Sequence, residues 1–305
     1  METLDVIEVK EDLLSRIYRV FRGGYTLAEV RAMWVEQHYP GLSKGARNSY
    51  TISYGYAKKY HDWVFKDIKY RQWQGVINDL RKQGLHYSTQ KKFKNFVGQV
   101  CDFAIKNDFA EYNYAKMLEL DRNKPVNIKT PFSIQEIRRL WRYVGRIANV
   151  DLILILIYTG LRVSEFLRVE MSKDVFIEDR YFVVRESKTE AGRNRLVPIH
   201  KDLIPFFKAR ARFSHLAVTK KGESFGTYPN FRREFEKVME AVNMDHNIHE
   251  TRHTCATLLD SVDANVNATK RILGHAGSSV TDAVYIHKQI SDLLAAIDKV
   301  PGKNI

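Results

Sequence analysis

At positions 121–131 the chain reads DRNKPVNIKTP, and the apolar periodicity that organises the sequence on either side lapses there. Two prolines withdraw backbone donors and bias their neighbours away from helix, which is the composition of a connection rather than an element. A length of 305 residues predicts about two domains at ~100–200 residues each, and the lapse marks where they part. The expected organisation is an N-terminal segment over 1–24, a helical domain over 25–120, a linker over 121–131 and a second domain over 132–305.

In the first domain, residues 69–84 put Trp73, Val76, Ile77 and Leu80 on one helical stripe, with Gly84 as terminator. Ser88 and Thr89 supply the expected N-cap of the next helix, which carries Phe93, Phe96, Val97, Val100 and Ala104 at helical spacing. Lys91, Lys92 and Lys94 point away from that stripe. Tyr50/Tyr54 and Tyr56/Tyr60, each pair four apart, are placed in another helix, where they either stack on bases or pack within the bundle. In the second domain, Ser133 and Glu136 form a capping-box pattern ahead of Ile137, Leu140, Trp141 and Val144. The run 151–158 is too apolar for a surface helix and is expected at the centre, ended by Thr159-Gly160. The period then changes to that of strands at 174–177, 181–186 and 195–199, the last two joined across 187–194 by a glycine-containing turn. Helices return at 202–212, 229–242, 249–261 and 265–273. The predicted fold class is mainly α with a small antiparallel β-sheet: a helical domain followed by a mixed α+β domain.

Charge points to a partner. The chain carries 49 Lys and Arg against 36 Asp and Glu, a formal net charge of +13. Residues 51–100 hold ten basic and three acidic side chains, so more than half of the surplus lies in one sixth of the chain. Lys58, Lys59, Arg81, Lys82, Lys91, Lys92 and Lys94 belong to this block and are the candidate nucleic-acid-contacting residues. A polyanion suits them, because neutralising phosphates releases condensed counterions; the ordinary alternative is a solvated helix face. Other classes are excluded. The longest apolar stretch, 152–158, is far below the ~20 residues that span a bilayer. The opening METLDVIEVKED is acidic and has no apolar signal core. Two cysteines make neither a disulfide framework nor an all-cysteine zinc site. A basic cytoplasmic protein without a membrane partner is expected.

The chemistry-bearing residues lie in the second domain. TGLRVSE carries Arg162, SKTEAGRNR carries Lys188 near a hairpin tip, and HETRHTCATLL carries His249 and Arg252 on one helix face. Leu273-Gly274-His275 follows, then Tyr285 in TDAVYIHK. In this order the sequence strongly resembles the tyrosine recombinases, or phage-integrase family, over nearly all of 132–290. The resemblance implies a catalytic domain there, a core-binding domain before it, and duplex DNA clamped between the two. It implies site-specific cleavage and rejoining of DNA through a covalent 3′-phosphotyrosine, with strands exchanged via a Holliday junction. It further implies a homotetramer on DNA, an accessory DNA-bending or directionality protein as a possible partner, and a nucleoid-associated place in a prokaryotic cytoplasm. The residue types suit that chemistry. Tyr285 offers a phenolic nucleophile that needs activation, its ordinary pKa being near ~10. Arg162 and Arg252 offer permanently charged forks for two non-bridging oxygens. His275 is a further phosphate donor, His249 a general base or phosphate ligand, and Lys188 the family's acid for the departing 5′-oxygen. The covalent intermediate stores the bond energy, so no cofactor, ATP or metal is implied, and no G-x-x-x-x-G-K-[ST] loop occurs.

Each residue alone has an ordinary reading. Arg162 can be an ion pair with Glu165, and Lys188 a solvated turn residue with Arg193 and Arg195 as basic rivals. His249 can be a polar helix-start residue, Arg252 an ion-paired cation, His275 a helix C-cap and Tyr285 a packing aromatic. One mechanism, however, uses all six. A rival motif is His249-Glu250-Thr251-Arg252-His253, which satisfies the H-E-x-x-H of zinc proteases. Against it, Arg252 puts a cation beside the metal, no glutamate follows Glu250, and Arg162, Lys188 and Tyr285 are left unused. A type IB topoisomerase and a DNA-binding regulator without catalysis stay as alternatives. After Tyr285, Ile290, Leu293, Leu294, Ile297 and Val300 form a stripe that the resemblance sends into a neighbouring protomer, as an oligomerisation segment; folding back on its own domain is the alternative. Only about 24 residues, with a short amphipathic segment at 12–21, precede the first domain. The sequence therefore resembles compact two-domain members or a truncated integrase. Cys255 reads as a packing residue.

Overall fold

The computed structural model describes residues 20–21, 23–122, 130–187, 192–219, 221–274 and 286–305. The chain divides into two compact units, Met1–Val126 and Asn127–Ile305, each with its own hydrophobic core. No helix among the described residues is long and apolar enough to cross a membrane.

The first unit is built from α1 (Leu27–His38), α2 (Lys44–Tyr56), α3 (Tyr70–Lys82) and α4 (Tyr87–Lys106). Thr26 and Glu29 close a reciprocal capping box at the start of α1, satisfying orphan amides at that end. The stripe Trp73, Val76, Ile77 and Leu80 is buried in α3, and Phe93, Phe96, Val97, Val100 and Ala104 are buried in α4. Gly84, at φ +72°, reverses the chain after α3, with Gly84 N–H donating to Arg81 O and Leu85 N–H to Leu80 O. Only a residue tolerant of the left-handed region makes this paired closure without strain. The helix start predicted at Ser88-Thr89 falls earlier. His86 is the N-cap, and its carbonyl already accepts from Thr89 N–H, which places Ser88 and Thr89 inside the first turn. The four tyrosines do not share one helix, since α2 ends at Tyr56 and Tyr60 lies in a following 3-10 turn. Tyr50 meets Trp34 edge-on at 5.1 Å and Tyr54 stacks on His61 at 3.7 Å, so both rings serve packing. Of the amphipathic segment expected at 12–21, only Val20 and Phe21 are described, and both are exposed.

The second unit opens with α5 (Ile134–Tyr143), capped by Ser133 and Glu136 in the expected reciprocal box. Helix α6 (Val150–Thr159) is buried at every position but Asp151, with Leu152 to Ile157 at most 1% exposed. Burying each such side chain stabilises the fold by roughly 1.5–3 kcal/mol, which makes α6 the spine of this core. Short helices α7 (Val163–Phe166) and α8 (Met171–Asp174) lead into β1 (Val175–Phe176), β2 (Tyr181–Val184) and β3 (Arg195–Pro198). The three strands form one antiparallel sheet in the order β1-β2-β3, pairing Val175 with Phe182 and Phe182 with Val197. Then come α9 (Ile204–Arg210), α10 (Tyr228–Ala241), α11 (Ile248–Ser261), α12 (Val266–Leu273) and α13 (Ile286–Ile297). Helix α6 packs on α5 and α11, while α12 and α13 both pack on β3.

In the single chain the C-terminal stripe packs on its own domain, the alternative to an oligomerisation segment. Ile290, Leu293, Ile297 and Val300 are buried in the core of the second unit, and Leu294 packs against it. Polar clasps hold the end down. Arg180 grips Asp298 through Nη1 and Nη2 at 2.9 and 2.5 Å, Tyr158 donates to Pro301 O at 2.7 Å, and His200 Nε2 bonds Val300 O at 2.9 Å. Arg138 adds a bond to Ile305 O at 2.6 Å. These contacts cover apolar surface and satisfy buried polar groups within the chain.

Candidate active site

Helix α6 ends on Gly160, at φ +62°, where an added Cβ would lie 2.7 Å from Leu273 Cδ2 and 3.0 Å from Cys255 Sγ. A glycine is required there on both counts, and it lets the chain turn tightly between α11 and α12. Two residues on, Arg162 is the extended N-cap of α7, and Glu165 folds back onto it. The Glu165 carboxylate accepts from Arg162 N at 2.9 Å and Arg162 Nη1 at 2.9 Å. The ion pair that is the ordinary reading of Arg162 is thus present, but the same carboxylate also accepts from Ser187 Oγ at 2.6 Å and Arg195 Nη2 at 2.7 Å. Burial by itself pushes the Glu165 carboxyl up; the Arg195 guanidinium, Ser187 and the Arg162 amide override it and hold the group at about 2. It is ionised at any working pH.

Arg252 comes from α11, whose N-terminus is closed by a capping box between Asn247 and Glu250. Its side chain turns inward at 6% exposure, donating from Nη1 to Gly160 O at 2.7 Å and from Nη2 to Leu273 O. Burial, then the neighbouring cations Arg162 and Arg195, bring its pKa down to about 10, so it stays protonated near neutrality. One guanidinium therefore ties together backbone two residues before Arg162 and two residues before His275. His249, one turn N-terminal to Arg252, is exposed, and its ring meets His253 edge-on at 4.8 Å. Lys188, His275 and Tyr285 lie outside the described residues. Their flanks do not: Ser187 bonds Glu165, Gly274 caps α12 in the left-handed region, and α13 starts at Ile286.

The rival residues are accounted for. Glu250 is spent on its helix start, accepting from Asn247 N at 3.0 Å and Asn247 Nδ2 at 2.7 Å, with His246 Nδ1 at 3.0 Å. A carboxylate so engaged does not face a metal between His249 and His253, which removes the role that H-E-x-x-H assigns it. Among the described residues no three His, Cys, Asp or Glu side chains gather as metal ligands. Arg195, a basic rival to Lys188, is buried at 2% exposure and paired with Glu165, so it is not a mobile acid. Cys255 is buried and its thiol is pushed up to about 12 by burial, which makes it inert packing.

The basic residues of the first unit separate into two groups. Lys58, Lys82, Lys91 and Lys92 are exposed. Lys59 is paired with Asp79 at 2.7 Å, Arg81 with Asp121 at 2.8 Å and with Glu119 O at 2.8 Å, and Lys94 donates to Leu118 O at 2.8 Å. Lys94 therefore does not point away from its domain; with Arg81 it straps residues 118–121 to the bundle, because those carbonyls have no helical partner. What the sequence pattern left out of the site is Glu165 and Arg195. The spacing of Arg162 and Glu165 within TGLRVSE was a signal for the first; nothing in the sequence separates a buried Arg195 from its exposed neighbours.

Residues 132–291 match the model of the phage integrase family. The chain is 26% identical over 263 residues to the tyrosine recombinase XerC-like protein of Caldanaerobacter subterraneus subsp. tengcongensis, covering 72% of this chain and 67% of that one. It is 29% identical over 232 residues to the tyrosine recombinase XerH of Campylobacter jejuni, covering 70% of this chain and 63% of the relative, so the matches span about two thirds of those proteins' lengths. A lambda integrase tetramer bound to a Holliday junction shares the fold at a TM-score of 0.70 and 15% identity, with 91% of this chain and 85% of that chain covered. With Arg162, His249 and Arg252 set on the elements described above and the matched segment taking in more than half of the chain, it belongs to the phage integrase family, the tyrosine-type site-specific recombinases.

Proposed function

We propose that this protein cleaves and rejoins duplex DNA at a specific site, with Tyr285 forming a 3′-phosphotyrosine and strands exchanged through a Holliday junction. The observation that carries the reading is the double anchoring of Arg252 to Gly160 O and Leu273 O. It supports the reading because it ties α11 to backbone two residues before Arg162 and to the end of α12, segments far apart in sequence. Among the described residues, three guanidiniums, of Arg162, Arg195 and Arg252, gather about the Glu165 carboxylate, an excess of positive charge in a water-poor site. Preorganised donors of that kind stabilise a charged phosphorane at no reorganisation cost during the reaction. Tyr285 Oη attacks phosphorus, the bond to the 5′-oxygen breaks, and Lys188 gives that oxygen its proton; His275 and His249 serve the phosphate and the tyrosine proton. Rejoining runs the steps backward with a 5′-hydroxyl from the partner strand. The exposed Lys58, Lys82, Lys91 and Lys92 serve the DNA backbone.

The active assembly is a homotetramer on two duplexes in a prokaryotic nucleoid, with direction set by an accessory protein; the tetrameric lambda integrase on its junction supports the first part. The test begins by mapping covalent junctions on the DNA flanking the reading frame. On a nicked suicide duplex of that site the wild type becomes DNA-linked, Y285F binds without linking, and EDTA leaves linkage intact. A linked Y285F refutes the nucleophile; loss of linkage in EDTA points to metal chemistry. Relaxation of supercoils without strand exchange favours a topoisomerase instead.

A further inference from the structure

We propose that Arg195, with Glu165, is a positioning residue that holds the Arg162 turn, the two sides of the β2–β3 connection and the end of α12 in one register. The inference rests on the recombinase reading and names a residue that reading does not use. Arg195 makes three bonds with three different segments. Its Nη2 donates to Glu165 Oε2 at 2.7 Å, its Nη1 to Gly192 O at 2.9 Å, and its Nε to Ile272 O at 3.2 Å. Glu165 in turn holds both the backbone and the guanidinium of Arg162, and Ser187. Ser187 and Gly192 stand on the two sides of the hairpin that carries Lys188, and Ile272 is three residues before His275.

The pocket for this guanidinium is close-fitting. Gly274, left-handed at φ +63°, comes so near that an added Cβ would lie 3.1 Å from both Arg195 Cδ and Nε. Both partners of the pair are nearly sealed from water, with side-chain exposures of 3% and 1%. A buried pair of this sort adds little net stability compared with apolar residues, since desolvation offsets attraction. Its distinctive property is direction. A planar fork with donors on three sides fixes three carbonyl or carboxylate positions at once, which a lysine ammonium on a flexible stem does not. The Arg195 side chain is only 3% exposed, so it acts through Arg162, the hairpin and α12 rather than on DNA.

The test uses the full chain on its mapped suicide duplex, reading single-turnover linkage, DNA affinity and amide exchange. R195K and R195Q bind the duplex as the wild type does but link to it about 100-fold more slowly, the scale of a misplacement near 1 Å. R195Q also gains a pH limb. Without Arg195, Glu165 faces burial with only Arg162, Ser187 and the more distant Arg252 to oppose it, so its carboxyl rises and linkage falls as the solution is acidified. The double variant E165Q/R195Q lacks that limb, because the titrating group is gone, and a merely structural defect would not be moved by that exchange. Wild-type linkage rates in R195Q, or an acid limb that survives E165Q, overturn the proposal. If R195Q fails to fold, R195K decides, and wild-type linkage in R195K overturns it. Amide exchange without DNA separates this inference from the functional reading. Faster exchange in R195K at both 192–195 and 272–274 supports the clamp even if no DNA linkage is found, and unchanged exchange at either segment overturns it.

Discussion

Replacing Gly160 by alanine perturbs one backbone position and, through it, both anchors of Arg252. Two costs add. The left-handed φ of +62° costs an alanine about 1–2 kcal/mol relative to its preferred regions. The new methyl would stand 2.7 Å from Leu273 Cδ2 and 3.0 Å from Cys255 Sγ, in a fully packed site, and overpacking of that kind costs a further ~1–3 kcal/mol. Gly145 provides the control. It has φ +79° and nothing within 4 Å of an added Cβ, so G145A carries the backbone cost alone. The unfolded-chain contribution is shared by both glycine-to-alanine changes and cancels in the comparison. G160A is therefore expected to be less stable than G145A by about 1–3 kcal/mol. The assay is urea-dependent amide exchange resolved by mass spectrometry, reading peptides of the second unit while the first serves as an internal reference. Linkage to DNA at low urea follows the same order. Displacing Leu273 moves the carbonyl that receives Arg252 Nη2, and a shift near 1 Å costs about 100-fold in rate. Equal stabilities for the two variants, within about 0.5 kcal/mol, would show that the site relaxes around the methyl and would refute the close-packing account.

Two further outcomes are expected besides those already attached to the function and to Arg195. Asp298 is pushed up by burial but held below its ordinary value chiefly by Arg180, with the Lys201 amide and His200 adding to this. A depressed carboxyl stabilises above its unfolded pKa and loses that contribution as pH falls through the folded one, so the clasp on residues 298–305 is expected to loosen below about pH 4. Exchange rates of C-terminal amides against pH check this, and D298N should flatten the profile; an unchanged profile in D298N would disprove the assignment. In the first unit, alanine at Lys58, Lys82, Lys91 or Lys92 should reduce the slope of log affinity against log salt by about 0.9 for each phosphate that is no longer neutralised. K94A should instead lower the stability of that unit by ~1 kcal/mol with the slope intact, because the bond to Leu118 O is gone. A K94A whose salt slope falls while its stability holds would return Lys94 to the DNA surface.

Much of the fold was legible because it rests on local periodicity. The α3 and α4 stripes, the Ser133–Glu136 cap, the buried run of α6 and the change to strands before β1 are each written within a few consecutive turns. The misplacements are local too. Ser88 and Thr89 are good caps by type, but the chain already turns at His86, and a helix start is set by which carbonyl first accepts. The tail stripe was visible, whereas its destination was not. An apolar face specifies that it will be covered and says nothing of which surface covers it; in the single chain Arg180, Tyr158 and His200, all far upstream, hold it to its own domain.

The same division runs through the site. The amino-acid order alone carried the resemblance that implies the reaction class, because the order and spacing of Arg162, Lys188, His249, Arg252, His275 and Tyr285 are themselves sequence properties. It also located the basic block that marks a polyanion partner. What only the tertiary structure decided is how charge is apportioned: which arginine stays partly open and which is sealed inside, and which lysine faces solvent and which straps a domain. Arg162 and Arg195 are the same residue type in similarly polar stretches, yet one remains partly open and the other is sealed against Glu165 and Ile272. That difference comes from burial and from partners many residues away, and a guanidinium's role depends on where its five donors end.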